Sequence, residues 1–353
     1  MRRLAQHISI PALMIVLTSC GFSQNEATIE QDVEDPIVNN QGVNWTMLDV
    51  NSPNMRSGYA MAYDTDQQKI IAYGGRTGFD DFDNINETWA FDYKSGLWEN
   101  LEPANTPVWR SMHSMVYDPI GNRTLMFGGN DFNRAFNDLW EFDYGLNTWR
   151  ELTPANSPDP RQMHGMVFNP DRGSVILVGG RRTNGGAHFD DTWEFVSSTN
   201  TWAKLDATNA PPVSDHINLA YYQSVQKMIL FVGPDAYVLG NGQVRPPSTW
   251  AYDFSTRTWV DLNTPTLPQA DHSSLTYDQH RDKLVLFGNS STEDGMFTWE
   301  FDWTEANWTE ITPDAFPDIY IEHDAMVYLA DHNVFVQYGG CCSGATLELT
   351  IEK

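Results

Sequence analysis

Hydrophobic and polar positions along the chain fall into blocks of four short runs. The second block reads MHSMVYD (112–118), RTLMFGG (123–129), LWEFDY (139–144) and TWREL (148–152). Alternating apolar positions and enrichment in β-branched and aromatic residues predict a strand for each run. Turn-forming stretches separate them, Asp118-Pro119-Ile120-Gly121-Asn122 after the first and Tyr144-Gly145-Leu146-Asn147 after the third.

The block recurs. Glycine pairs or their remnants stand at Gly74-Gly75, Gly128-Gly129, Gly179-Gly180, Gly233-Pro234, Gly288-Asn289 and Gly339-Gly340. Eleven residues before each first glycine is an aromatic residue: Tyr63, Tyr117, Phe168, Tyr222, Tyr277 and Tyr328. Six marks at a spacing of 51–55 residues define six repeats. In five of them a tryptophan marks the third run (Trp89, Trp140, Trp193, Trp250, Trp299) and a second follows nine residues later in the fourth. The sixth repeat has only three runs, DAMVYLA (324–330), NVFVQYGG (333–340) and TLELTI (346–351). NWTML (44–48) has the form of a fourth run and no tryptophan nine residues before it. Segment 43–49 is therefore expected to complete the sixth sheet, closing a ring with no open edge.

The glycine pairs, the Tyr-Asp before them and the paired tryptophans resemble the kelch repeat, over residues 43–353. The resemblance implies an all-β, six-bladed β-propeller of the kelch and galactose-oxidase-central-domain type. Its sixth blade would be closed by the N-terminal strand pairing with the C-terminal strands. Repeat four, with Gly233-Pro234 and a long following loop, departs most from the pattern.

Composition narrows the function. Hydrophobic residues make up 41%, enough for a substantial core, and 47 acidic residues against 21 basic ones give a formal charge of −26. The acidic excess is spread along the chain and would repel a phosphate backbone, which argues against nucleic acid as a partner.

The N-terminus reads separately. Arg2 and Arg3 precede an apolar stretch, Ile8 to Leu17, too short to span a membrane stably, so residues 1–20 read as a secretory signal. Its close, Leu17-Thr18-Ser19-Cys20, resembles the lipobox of bacterial lipoproteins, which implies lipidation of Cys20 and attachment to a membrane. Gly21 in the next position implies the outer membrane of a bacterial envelope, at its periplasmic face or the cell surface. An ordinary signal peptide with an incidental cysteine is the alternative. Residues 21–42, polar and poor in apolar side chains, read as a disordered tether reaching roughly 25 Å.

In a four-stranded meander the 2–3 connections and the links between blades share one end. Those are the long ones here: 76–87, 130–138, 181–191, 234–248, 289–297 and links such as 154–160. Function is expected on that face, around the channel mouth. The polar residues leading into the inner strands fall there: Arg56, Arg110, Arg161, His113, His164, Asp215, His216, Asp271, His272, Glu322 and His323. Arginine forks suit carboxylates or sugar hydroxyls, and acid–histidine pairs suit proton transfer. The alternative is structural, with these side chains tying each inner strand to its neighbour. Converging histidines would suit zinc or copper, and Asp80, Asp81, Asp83 and Glu87 in FDDFDNINE (79–87) offer oxygen ligands for calcium without the spacing of an EF-hand loop. A solvated acidic loop is the simpler reading, and no cofactor is expected. Adjacent Cys341 and Cys342, in the sixth 2–3 loop, are a candidate vicinal disulfide.

Two functions fit. The first is a monomeric, lipid-tethered interaction module whose long-loop face holds a glycan, an envelope component or a protein. The second follows from likeness to sialic-acid mutarotases, six-bladed kelch propellers that act without a cofactor. Arg110 or Arg161 would then clamp a carboxylate while Glu322 or His323 moves a proton.

Overall fold

A computed structural model of the chain describes residues 42–77, 83–183, 186–212, 215, 217–234, 245–290, 295–313, 315–317, 319, 321, 325–340 and 343–352, with backbone alone at 83, 84 and 290. Six four-stranded antiparallel sheets follow one another as blades. Blade 1 runs through Ala60–Asp64, Lys69–Tyr73, Thr88–Asp92 and Leu97–Asn100, and blade 2 through Ser114–Asp118, Arg123–Phe127, Leu139–Asp143 and Thr148–Leu152. Blades 3 to 5 begin at Gly165–Asn169, Asn218–Tyr222 and Ala270–Asp278. The first strand of each blade packs beside the first strand of the next, all the way round. They form the wall of a central channel.

Blade 6 is composite. Ala325–Leu329, Val334–Tyr338 and Thr346–Ile351 are joined by Val43–Leu48, which lies antiparallel to the last of them with Val43 opposite Ile351 and Trp45 opposite Leu349. The fold is a closed six-bladed β-propeller.

Its apolar interior lies between blades. Ile71 and Tyr73 of blade 1 pack with Met126, Phe142 and Trp149 of blade 2, whereas Ile70 and Ala72 face Val336 and Tyr338 of blade 6. A second strand thus buries both faces, and this is why KIIAY or KMILFV reads as a continuous apolar run instead of an alternating one. The closing strand supplies Val43 and Trp45 to the core shared by blades 5 and 6.

One joint repeats around the ring. The fourth-strand tryptophan of each blade donates its indole N–H to a threonine at the start of the preceding blade's third strand. Trp149 reaches Thr88 (2.9 Å), Trp308 reaches Thr249 (2.8 Å), Trp259 reaches Thr192 (3.4 Å) and Trp98 reaches Thr346 (3.0 Å). Trp45 makes the same bond to Thr298 at 3.0 Å, so the closing strand is a full member of the series. The exception is Trp202, whose buried indole nitrogen has no partner: Leu139 stands where the threonine should be.

Two blades depart from their sequence pattern. In blade 4 the 1–2 turn gains a 3-10 helix, Gln223–Val225, and the channel-facing aromatic is Tyr221, with Tyr222 turned into the core between blades 4 and 5. Counting back eleven residues therefore picks the wrong tyrosine in that repeat. In blade 5 the Gly288-Asn289 remnant does not end the second strand, which continues to Ser290 and pairs with a lengthened third strand, Met296–Asp302. Gly74, Gly128, Gly179 and Gly339 have φ of +66 to +70°, but neither Gly233 nor Gly288 has a positive φ.

Replacing Thr298 with valine keeps shape and removes the acceptor for Trp45. We expect a loss of about 1–3 kcal/mol in chemical unfolding. Thr249→Val, at an internal joint, should cost the same if the seam between the chain's ends is an ordinary joint.

Candidate functional site

The candidate residues of the first three blades lie where the chain enters each inner strand, and they point inward. Arg110 is fully buried. It donates to Asp138 through both terminal nitrogens (2.6 and 2.8 Å) and to the Gly128 carbonyl (2.9 Å), and its guanidinium lies 4.3 Å from the centre of the Phe136 ring. Arg161 repeats this arrangement with Asp191 (2.6 and 3.0 Å), the Gly179 carbonyl (2.9 Å) and Phe189. Arg56 donates to Glu87 at 2.8 Å and to the Asn54 carbonyl. Burial raises the acids' pKa values, but hydrogen bonds from the arginines and from Trp140, Trp193 and Trp89 outweigh it and hold Asp138, Asp191 and Glu87 below the usual range. The bidentate Arg110–Asp138 and Arg161–Asp191 pairs occupy the guanidinium edges a ligand would need.

Glycine makes the arrangement possible. A Cβ on Gly128 would lie 2.6 Å from the Arg161 carbonyl oxygen, and one on Gly129 would lie 2.8 Å from that of Ser111. Only glycine lets the end of the second strand pass this close both to its own blade's lead-in at Ser111 and to the next blade's at Arg161.

The histidines divide into two sets. His113 and His164 directly precede their inner strands, one residue after Met112 and Met163, which adopt positive φ. His272 itself occupies the positive-φ position, φ +41°, so it is one residue out of step with the first set. A one-residue offset on an extended chain turns a side chain to the other side. His113 and His164 wedge between blades, their rings against Gly74 and Gly128 and edge-on to Tyr73 and Phe127. Neither ring makes a hydrogen bond of good geometry, and the nearby Tyr73 and Phe127 carbonyls act on them only weakly. Burial, reinforced by Arg110, pushes His113 down to about 3; burial, Arg161 and His113 push His164 well below its ordinary value. Both stay neutral near pH 7.

Asp215 accepts from Arg181 (2.9 Å) and contacts His188 Nε2 at 2.9 Å. Among the described residues, this acid–histidine contact crosses from one loop to another. Asp271 accepts from the backbone N–H of His272, whose ring nitrogen lies 3.5 Å from its carboxylate. Among the described residues, no three His, Cys, Asp or Glu side chains are placed to hold a metal ion. Glu87 is engaged by Arg56 and Trp89, and Asp83 lies in a two-residue strand opposite Thr77. Cys20, Asp80, Asp81, His216, Glu322, His323, Cys341 and Cys342 fall outside the described residues.

The loop face also carries residues that periodicity did not single out. Trp109 and Phe132 stack with ring centres 5.5 Å apart, Arg76 lies 5.7 Å over Phe132, and Val108 beside them is 54% exposed. Arg134, 71% exposed and 3.8 Å from Asp131, stands on the same loop as Phe132, and exposed Arg182 of blade 3 pairs with Asp159 at 3.2 Å.

The channel holds two cavities. The one toward the loops, about 220 Å³, is lined by Tyr59, Met112, Ser114, Met163, Asn218 and Ser273 among others. The one toward the short turns is larger, about 420 Å³, and mostly apolar. Met61, Met115, Leu219, Leu275 and Met326 line both and form the waist. The expectation of a long-loop site overlooked this second mouth, because short turns carry no length signal.

The buried histidines set a pH dependence. An unfolded histidine takes up a proton near pH 6.5, whereas folded His113 does so only near 3, so the unfolded state binds more protons between those values. Stability should therefore fall as pH drops from about 6.5, by up to about 1.4 kcal/mol per pH unit per histidine. The arginine-paired carboxylates add their own loss only below their unfolded values, near 4. In urea unfolding across pH 7 to 4, His113→Gln should flatten the slope even if it lowers stability at pH 7.

The KLHDC2/KLHL20/DRC7 Kelch-repeats domain family model matches residues 21–233 and 172–350. Kelch domain-containing protein 3 of Homo sapiens is 22% identical over 69% of this chain and 68% of its own length. Rab9 effector protein with kelch motifs, also of Homo sapiens, is 26% identical over 51% of this chain and 49% of its own. The flagellar outer-arm dynein alpha chain of Chlamydomonas reinhardtii is 28% identical over 52% of this chain, which spans only 4% of that protein. With six repeats in register and a family model matching most of its length, the chain belongs to the KLHDC2/KLHL20/DRC7 Kelch-repeats domain family.

Proposed function

We propose that this propeller is a protein-interaction module, held at a bacterial envelope membrane by lipid on Cys20 and binding through the loop face of blades 1 to 3. The observation that carries the reading is the patch of exposed Val108, Phe132 and Arg134 with half-buried Arg76 and Trp109 beside them. Arginine and aromatic side chains are enriched where proteins meet and supply most of the affinity there. Val108, Trp109, Phe132 and Arg134 flank the buried Arg110–Asp138 pair, which holds their segments in place and leaves less ordering to oppose binding. The partner class this favours is an acidic segment bearing an apolar side chain, with a carboxylate meeting exposed Arg134, which lies 3.8 Å from Asp131. One relative is by name an effector of Rab9, which accords with a binding role. A glycan or other envelope component is the finer alternative, drawing on the smaller cavity and its Ser114, Asn218 and Ser273. The cofactor-free sugar-modifying reading has less support, because Arg110 and Arg161 already hold Asp138 and Asp191.

Residues 42–353 should be screened against phage-displayed random peptides and a glycan array. We expect acidic peptides with an apolar residue to be enriched, and Arg76→Ala with Arg134→Ala to weaken them about tenfold or more. Glycans bound in place of peptides, or peptides indifferent to both changes, would move the site elsewhere. Separately, radiolabelled palmitate should enter the full-length protein in bacterial cells and not the Cys20→Ala variant; equal labelling would reject the anchor.

A further inference from the structure

The larger cavity, at the opposite end of the channel, has a consistent chemistry. Its wall carries an aromatic residue from every blade, Tyr63, Tyr117, Phe168, Tyr221, Tyr277 and Tyr328, above the methionine and leucine waist. No charged residue is among the described residues lining it. The lip is different. The 1–2 turns of blades 1, 3, 5 and 6 place exposed Asp66, Asp171, Asp282 and Asp331 around the opening. Tyr63 donates to Asp331 (2.5 Å), Tyr277 to Asp282 (2.7 Å) and Tyr221 to Asp171, bonds that orient the carboxylates without neutralising them.

The cations of the 1–2 hairpins in blades 1, 3, 4 and 5 are turned away onto other acids. Lys69, Lys227 and Lys283 pair with Asp92, Asp253 and Asp302 on the third strands, Arg172 with Glu194, and Arg281 with Asp278 and Glu300. Near the lip, His332 stands 3.4 Å from Asp331 and His280 bonds the Tyr328 hydroxyl. What remains is an apolar, aromatic funnel under an anionic collar.

We propose that this turn-end mouth is a second binding site, and that it takes a short peptide segment with an apolar side chain flanked by lysine or arginine. The apolar side chain enters between the tyrosines and the thioethers of Met61, Met115 and Met326, a soft lining that adapts to different shapes. The flanking cations meet Asp66, Asp171, Asp282 and Asp331 and the tyrosine ring faces. A cavity of about 420 Å³ is large enough for one or two bulky side chains. This site does not rest on the loop face, and the two mouths select opposite charge.

Fluorescein-labelled Lys-Lys-Trp-Leu-Lys-Lys should be titrated by anisotropy against residues 42–353 at moderate salt, beside one twin with glutamate for lysine and another with alanine for Trp-Leu. We expect the lysine peptide to bind at least about tenfold more tightly than either twin. Asp→Asn at 66, 171, 282 and 331 together keeps each tyrosine's acceptor and should weaken binding about tenfold. Thr65→Trp with Gln279→Trp, two exposed lip positions, should plug the funnel and abolish it. Arg76→Ala with Arg134→Ala should leave it unchanged, so failure here is separable from failure at the loop face. Equal binding of the alanine twin, indifference to the tryptophan plugs in variants that keep the wild-type unfolding midpoint, or no binding at all would overturn the proposal.

Discussion

A propeller has no centre to collapse onto. Its axis is a channel, and every apolar core lies between two blades, so each blade is stable only while it has a neighbour on both sides. That requirement can be met for all six blades only if the sixth meets the first. Here it is met by pairing Val43–Leu48 with Thr346–Ile351 and placing Trp45 on Thr298. An open array of the same sheets would expose an apolar face at each end.

The ring is not uniform. Blades 1 to 3 tie their loops with a buried arginine bonded to a carboxylate, bidentate in blades 2 and 3, and those two blades add neutral histidine wedges. Charge buried in this way fixes position more than it adds stability, since much of the pairing energy offsets desolvation. Its effect is to hold Arg76, Trp109 and Phe132 on a stiff frame. The same construction explains why the arginines that looked most available for a ligand are the least exposed.

Much of the fold could be read from the chain. Spacing, turn residues and the unmatched NWTML gave blade number and closure. The tyrosine of blade 4 was misplaced because Gly233 lies one residue past the place of Gly74. The 1–2 turns have equal length, with Asp64 opposite Lys69 and Tyr222 opposite Lys227, and it is the second strand of blade 4 that is one residue longer. The arginines' inward direction was legible in principle. Blades with arginine have an acid two residues before the third-strand tryptophan, Glu87, Asp138 and Asp191, whereas the same position in blades 4 and 5 holds Ser248 and Phe297. The Trp–Thr joints carry a similar signal in the threonine before that tryptophan, with Leu139 the odd member. The turn-end funnel could not be read, because its acids come from four separate hairpins and gain meaning only once the ring brings them together.

Closure by the two ends of the propeller has a kinetic side. Val43–Leu48 is made before every other strand of the ring and its partner Thr346–Ile351 after all the rest, so this contact has the greatest sequence separation of the strand pairings in the propeller. Topologies ruled by distant pairings fold slowly, since the loop entropy is lost before the contact rewards it. Until then the early segment is an unpaired strand exposing Trp45, able to join the wrong edge. The seam that makes the finished ring edgeless is therefore its most vulnerable feature while it forms, and a chain kept extended until Thr346–Ile351 emerges would be spared that hazard.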